Sequence, residues 1–133
     1  MRIVLDSSVL IAASISRAGA CAALLEDVIT HHDWIISDFI VDEVARKLSD
    51  KFDFPRKEIA DLRRFLKATA TLVVPAEIDP GICRDPQDAL VLGTALAAHA
   101  DLLISVDKDL LALGRFEGSD IVKPGAFWKR STR

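Results

Sequence analysis

The chain has 133 residues, half of them apolar, a formal net charge of −3 and a pI near 5.5. That length suits one domain, and such a chain can bury roughly two thirds of its unfolded surface without disulfides or structural metals. The mild acidity argues against a surface that coats nucleic acid broadly, no run reaches the ~20 apolar residues of a bilayer span, and the two cysteines, Cys21 and Cys83, form neither a disulfide framework nor a metal-ligand pattern.

Arg2-Ile3-Val4-Leu5 reads as a short buried strand, followed at once by the helix-capping trio Asp6-Ser7-Ser8. The same trio interrupts the apolar run, so no signal-peptide pattern is present and a reduced cytoplasm is expected. Val9 to Ser14 reads as a first helix. Residues 20–31 read as a second, with Ala23, Leu24, Val28 and Ile29 near helical spacing. Trp34-Ile35-Ile36 is a second strand. Ser37-Asp38 opens a helix that carries Phe39, Ile40, Val44 and Leu48 on one side. Residues 51–55 break the pattern, and Pro55 suits the start of a helix bearing Ile59, Leu62, Phe65 and Leu66. Thr71 to Val74 is a third strand, stopped by Pro75, and residues 75–84 are a loop. Asp85 to His99 is a strongly apolar helix, residues 102–106 a fourth strand, Asp109 to Leu113 a short helix, and Gly114 to Ser119 a turn. Ile121-Val122 reads as a small edge strand, and Pro124 to Trp128 closes the chain before a basic tail, Lys129 to Arg133. Strands alternating with helices predict a single domain over residues 1–133, with a mainly parallel sheet of four to five strands covered on both faces.

The acids occupy telling places in that pattern. Asp6 and Asp107 follow apolar strands, while Glu43, Asp85 and Asp88 lie near helix starts. In an open parallel α/β sheet these positions collect along one edge, where ligands bind. Taken singly, each acid has an ordinary structural explanation. Asp85-Pro86-Gln87-Asp88 is good capping chemistry, Asp6 and Asp107 suit caps, and Glu43 suits a solvated helix position. Asp38, Asp42, Asp101 and Asp109 are read as structural.

The joint pattern says more. Two unit charges 4 Å apart repel by about 4 kcal/mol at an effective dielectric near 20. Several such pairs would consume much of a domain's stability of ~5–15 kcal/mol. Asp6, Glu43, Asp88 and Asp107, if convergent, must therefore take up protons or bind a cation. An oxygen-only ligand set fits Mg²⁺ or Mn²⁺, and such an ion can activate water against a phosphodiester. Other acid-rich α/β sites fit less well. An aspartyl-phosphate phosphatase wants Asp-x-Asp after the first strand, but Asp6-Ser7-Ser8 lacks the second acid. A receiver domain wants an acceptor Asp after a middle strand, where Val74-Pro75 stands. Gly-rich phosphate loops are absent, and His31, His32 and His99 sit at helix ends without catalytic arrangement.

Four segments in order resemble the motifs of PIN-domain nucleases: Val4-Leu5-Asp6-Ser7-Ser8-Val9-Leu10, Ser37 to Val44 with Glu43 at the acidic position, Arg84 to Leu92, and Ala100 to Leu111. The tail Ile121 to Phe127 also fits, so the likeness covers essentially the whole chain. Within that family the chain is most similar to the toxin components of type II toxin–antitoxin systems (VapC-like). The resemblance implies a three-layer α/β/α sandwich and a Mg²⁺- or Mn²⁺-dependent ribonuclease. It makes Asp6, Glu43, Asp88 and Asp107 catalytic and metal-binding, with Asp85, Ser8 and Ser105 as supporting candidates. Ser8 stands where the family often has Asn, with a shorter reach toward Asp6, and Val106 stands where Gly is common. The expected partners are an RNA substrate, an antitoxin protein and a second copy of the chain; no membrane is expected. Residues 9–15 and the helices around Leu24-Leu25 and Phe65-Leu66 are the apolar segments expected to lie uncovered for such partners. A non-catalytic RNA- or protein-binding module and a DNA-directed nuclease are the rival readings.

Overall fold

The computed structural model describes residues 1–131; Thr132 and Arg133, the end of the basic tail, lie outside the described residues. In chain order the elements are β1 (Arg2–Leu5), α1 (Ser7–Ile15), α2 (Ala20–His31), β2 (Asp33–Ser37), α3 (Asp38–Phe52), α4 (Arg56–Thr69), β3 (Thr71–Val73), α5 (Pro86–Ala98), β4 (Leu102–Ile104), α6 (Lys108–Leu113), β5 (Arg115–Phe116), β6 (Ser119–Val122) and α7 (Pro124–Ser131). The strands form one sheet in the order β3-β2-β1-β4-β6-β5, parallel throughout except for the β5–β6 pair. Ile3, Val4, Leu5, Ile35, Ile36, Leu103 and Ile104 are all buried. Unbroken burial along a strand, instead of alternation, is what a parallel strand with helices on both faces requires.

The fold class matches the expectation, with one strand more. Residues 114–119, read as a turn, contain β5 and a tight hairpin. Glu117 and Gly118 form its corner at φ 51° and φ 96°. Two successive left-handed residues make the turn whose twist suits antiparallel strands. The third and fourth strands are shorter than read, ending at Val73 and Ile104. Residues 105–107 leave the sheet before α6. The closing segment is a full helix, because Phe127 is completely buried and packs edge-on against His32, with ring centroids 5.6 Å apart. The loop before α5 holds one short 3₁₀ turn, Pro80–Ile82, capped by Asp79.

The helices begin and end for local reasons. Ser37 caps α3, its Oγ accepting from the Ile40 N–H at 3.4 Å, and Asp53 ends it in a left-handed conformation. Asp85 caps α5 ahead of Pro86, and His99 ends that helix at φ 49°. The apolar segments expected to lie uncovered are mostly core. Val9, Leu10, Leu24 and Leu66 are buried, because α1 packs on α2 and α3, and α3 on α4. Only Ile15 and Phe65 of those stretches stay largely exposed, at 48% and 42%. No single helix is long and apolar enough to cross a membrane.

Right-handed crossovers put α1 to α4 on one face and α5 and α6 on the other. The contacts of α5 with β1, β2 and β3 agree. From β1 the chain steps outward through β2 to β3, then returns to β4 on the opposite flank of β1 and continues to β6. The strand order therefore reverses between β1 and β4, and a crevice opens at their carboxyl ends.

α5 approaches the sheet's carboxyl edge closely at one point. Gly93 accepts a hydrogen bond from the Ala76 N–H at 2.9 Å. A Cβ on Gly93 would lie 2.3 Å from the Ala76 carbonyl oxygen, which is backbone and cannot swing away. Alanine favours helix over glycine by about 1 kcal/mol, yet the clash should dominate. Gly93→Ala is expected to destabilise the protein by about 1–3 kcal/mol, the usual cost of overpacking. Urea unfolding measures this directly; an unchanged or higher midpoint would refute the close approach.

Candidate active site

Asp6 is placed by the sheet itself. Its backbone N–H donates to the Ile104 carbonyl at 2.9 Å, extending the β1–β4 ladder by one residue. Its side chain, 5% exposed, then caps α1. Oδ1 accepts from the Ser7 N–H at 2.8 Å, and Oδ2 accepts from Ser105 Oγ at 2.7 Å and Ser8 Oγ at 3.2 Å. Burial pushes the Asp6 carboxyl above its ordinary value and the charge of Glu43 adds to that, against the lowering effect of these hydrogen bonds. Ser8, shorter than the Asn common in the family, nevertheless reaches Asp6.

Ser105 ties two acids together. Its N–H donates to the Val122 carbonyl at 3.0 Å, which anchors it to the sheet edge. Its hydroxyl donates to Asp6 and accepts from the Asp107 N–H at 2.9 Å. Asp107 caps α6 with one oxygen, Oδ1, which accepts from the N–H groups of Asp109 and Leu110 at 2.9 and 3.1 Å. Val106, 53% exposed, borders the cleft beside it.

The other wall comes from helices. Glu43, one turn into α3, is 6% exposed. Its Oε1 accepts from Ser7 Oγ and lies 3.5 Å from Lys47 Nζ, while its Oε2 is buried with no hydrogen-bond partner. Asp88, in the first turn of α5, is 9% exposed. Burial, then the negative charges of Asp107, Asp85, Asp6 and Asp109, raise its carboxyl to about 6. Asp85 caps α5, its Oδ1 accepting from the Gln87 N–H at 2.9 Å.

Asp6, Ser8, Glu43, Asp85, Asp88 and Asp107 all line one cleft of about 250 Å³, and Ser105 lies directly beneath it through its bonds to Asp6 and Asp107. Every residue singled out from the sequence is therefore at or against the same site. Two further participants were missed. Asp109 was read as structural, yet carboxylate oxygens of Asp88, Asp107 and Asp109 lie within 4.8 Å of one another. Its carboxylate also pairs with Arg84 at 3.0 Å. Lys47 is the other, and its spacing of four residues from Glu43 on one helix is the sequence signal for their pairing. The histidines stay outside the cleft, as expected. Cys21 and Cys83 are free thiols, and burial and the neighbouring acids push Cys83 up.

The donor set fits a divalent cation. Oxygens sharing one Mg²⁺ at about 2.1 Å can be ~4.2 Å apart, so the three clustered carboxylates need only small side-chain rotations. The unpartnered Glu43 Oε2 and the raised Asp88 carboxyl are both signs of uncompensated acid.

Fold and site together define a class: a doubly wound α/β protein whose carboxylates converge where the strand order reverses. The family model for the PIN domain matches residues 2–109, and the chain belongs to the PIN domain family. Proteins of that family are generally nucleases that use divalent metals. Among solved structures, the fold is similar to a chain of VapBC2 from Rickettsia felis, bound to a DNA fragment from their promoter. That match has a TM-score of 0.65 and 12% identity, covering 92% of this chain and 98% of the other. No curated protein sequence matches.

The raised Asp88 carboxyl has a stability consequence. In the unfolded chain it titrates near 3.8, in the folded cation-free protein at about 6. The folded state thus holds the extra proton between these values. Asp88's contribution to stability is full below the lower value and is lost as pH rises through the higher one. In chelator, thermal melts of the wild type should lose more stability between about pH 4 and pH 6 than melts of Asp88→Asn, and the variant should melt higher at pH 7. Parallel pH profiles for the two proteins would show that Asp88 carries no such strain.

Proposed function

We propose that the protein is a Mg²⁺- or Mn²⁺-dependent endoribonuclease acting in the cytoplasm, the toxin of a toxin–antitoxin pair, with residues 1–133 as one nuclease unit. The observation that carries this reading is the convergence of Asp6, Glu43, Asp88 and Asp107 from four separate segments into one cleft. Family membership supports the nuclease chemistry, and the likeness to a VapBC2 chain supports the toxin assignment.

In this reading Asp88 and Asp107, helped by Asp109, would hold the ion together with Asp6 and Glu43. When bound, the ion supplies charge neutralisation at a phosphate and an activated water. The chain's own groups do the positioning. Ser105 and Ser8 fix the Asp6 carboxylate, so that it does not swing away from its neighbours. Ser7 and Lys47 occupy Oε1 of Glu43, which leaves Oε2 as its unengaged oxygen. The N-terminus of α6 engages Oδ1 of Asp107 and leaves Oδ2 without a hydrogen bond among the described residues. Asp85 is a cap whose carboxylate holds the start of α5, and thereby Asp88, in register.

Two surfaces suit the proposed partners. A groove of about 310 Å³ between the end of α1 and α4, lined by Ser14, Arg17, Phe54 and Phe65, suits an amphipathic antitoxin segment. A basic side chain from that segment reaching the acid cleft would compete with the ion through charge-assisted hydrogen bonds. A second, apolar groove runs from Pro75 to Leu90 beside the open edge of β3. Val74 is 85% and Leu72 46% exposed there, which suits burial against a second copy.

Cleavage of single-stranded RNA is expected only with Mg²⁺ or Mn²⁺ and is expected to vanish in Asp6→Asn and Asp107→Asn. Each change removes a charge and nearly keeps the shape, so the cation-free protein should remain folded and no less stable. Asp85→Asn should retain most activity, since Asn caps a helix as well as Asp. Gel assays with purified protein and controlled free Mg²⁺ decide it. Wild-type rates in Asp6→Asn would reduce these acids to caps, and equal losses in Asp85→Asn and Asp88→Asn would move Asp85 into the ion's shell.

A further inference from the structure

The acid cleft does not end at Glu43. A second groove of about 440 Å³ continues from it, sharing Glu43 and Gln87 as lining and adding Phe39, Asp42, Arg46 and Arg63. Phe39, Asp42, Glu43 and Arg46 are spaced by three, one and three residues on α3, so one face of that helix forms the floor. Arg63 comes from α4 and Gln87 from the first turn of α5. The volume lies within the ~300–1,000 Å³ typical of small-ligand sites.

The charges in the groove are not all committed. Asp42 is neutralised by Arg63 at 2.6 Å, and Glu43 by Lys47 at 3.5 Å. Arg46 is exposed and makes no hydrogen bond or ion pair among the described residues. The side-chain amide of Gln87 is likewise exposed and without a partner among them. Phe39 packs on the core by one part of its ring and leaves the rest accessible. A free guanidinium, an aromatic face and an unpaired amide are the three elements by which proteins hold a single-stranded nucleotide: phosphate contact, base stacking and base-edge hydrogen bonding.

We propose that this groove is a nucleotide subsite. It seats the residue next to the scissile phosphate of single-stranded RNA, with Arg46 on the flanking phosphate, Phe39 against the base and Gln87 at the base edge. This rests on the ribonuclease reading of the adjoining cleft and adds to it a direction: the strand runs along α3, away from the acids. It also assigns the net-acidic protein a local means of holding a polyanion. Arg46 and Lys47 are neighbours on α3, one facing the groove and one facing the acids.

The test is fluorescence anisotropy with a labelled single-stranded RNA, using the cleavage-silent Asp107→Asn protein as the parent across a range of salt. Arg46→Ala should weaken binding roughly tenfold, as loss of a charge-assisted contact does. It should also flatten the dependence of log affinity on log salt by about 0.7, one phosphate's share for a single strand. Phe39→Leu, which keeps the core packing, should weaken binding roughly tenfold through lost stacking, with the salt slope unchanged. Arg115→Ala, remote and paired with Asp120, should bind as the parent does. Circular dichroism confirms that each variant is folded. If the parent binds RNA and both groove variants bind it equally well with the same slope, the subsite is wrong and the ribonuclease reading stands. If wild type and parent neither bind nor cleave RNA with Mn²⁺ present, the ribonuclease reading fails and the subsite fails with it.

Discussion

The structure turns on negative charge held out of water between β1 and β4. The chain brings Asp6 and Asp107 to the ends of adjacent parallel strands and ties them through one hydroxyl, Ser105 Oγ. It then lays Glu43 and Asp88 over them from helices on opposite faces of the sheet. At an effective dielectric near 20, two unit charges 4 Å apart repel by about 4 kcal/mol. The fold offsets part of that with local hydrogen bonds. Asp6 accepts three, Asp107 accepts two from the start of α6, and Glu43 has Ser7 and Lys47. Asp88 has no such compensation on its side chain among the described residues. It is also the acid whose carboxyl rises to about 6, first through burial and then through its acidic neighbours. The residual strain is therefore localised, and it sits beside the clustered oxygens of Asp107 and Asp109.

Much of this was legible in the sequence because the relevant signals are local. A run of successive apolar residues reads as a buried parallel strand, and Ile3-Val4-Leu5 of β1, Trp34-Ile35-Ile36 of β2 and Leu102-Leu103-Ile104 of β4 are such runs, all buried. Asp85-Pro86 reads as a helix start because proline needs no hydrogen bond at that position, and Asp85 is the cap observed. Once the parallel sheet was inferred, the convergence of acids at its carboxyl edge followed from topology alone. The extra strand was hidden for the opposite reason. β5 is only two residues long, Arg115–Phe116, and its pairing depends on the left-handed conformation of Glu117, which the residue type does not favour.

Long-range compensation was the least visible part. Asp109 looks like any acid in a first helical turn; its place among the oxygens of Asp88 and Asp107 depends on how the starts of α5 and α6 are set beside each other at the sheet's carboxyl edge. Nor does the sequence tell which of two apolar neighbours is covered. Leu66 is core and Phe65 is surface because α4 presents one stripe to α3 and the sheet, and consecutive residues on a helix point about 100° apart. The same geometry separates Arg46 from Lys47.

That separation shows how a net-acidic chain can work on a polyanion. A broad basic surface would bind nucleic acid indiscriminately and would also weaken with salt over its whole area. Here the cations near the cleft are few, and most are spent on acids: Arg63 on Asp42, Lys67 on Asp38, Arg84 on Asp109, Lys47 on Glu43. The three exposed pairs, those of Arg63, Lys67 and Arg84, add little stability, typically under about 1 kcal/mol each. Their effect is to offset those charges locally, while Arg46 makes no ion pair among the described residues. In the proposed reading, a cation held by the acids would take the scissile phosphate and Arg46 the flanking one. A carboxylate cluster without a cation repels a phosphate, and in that reading a bound cation would reverse that sign at the cleft. Loading of the site would then govern cleavage, while Arg46 and Phe39 hold the flanking strand independently of it.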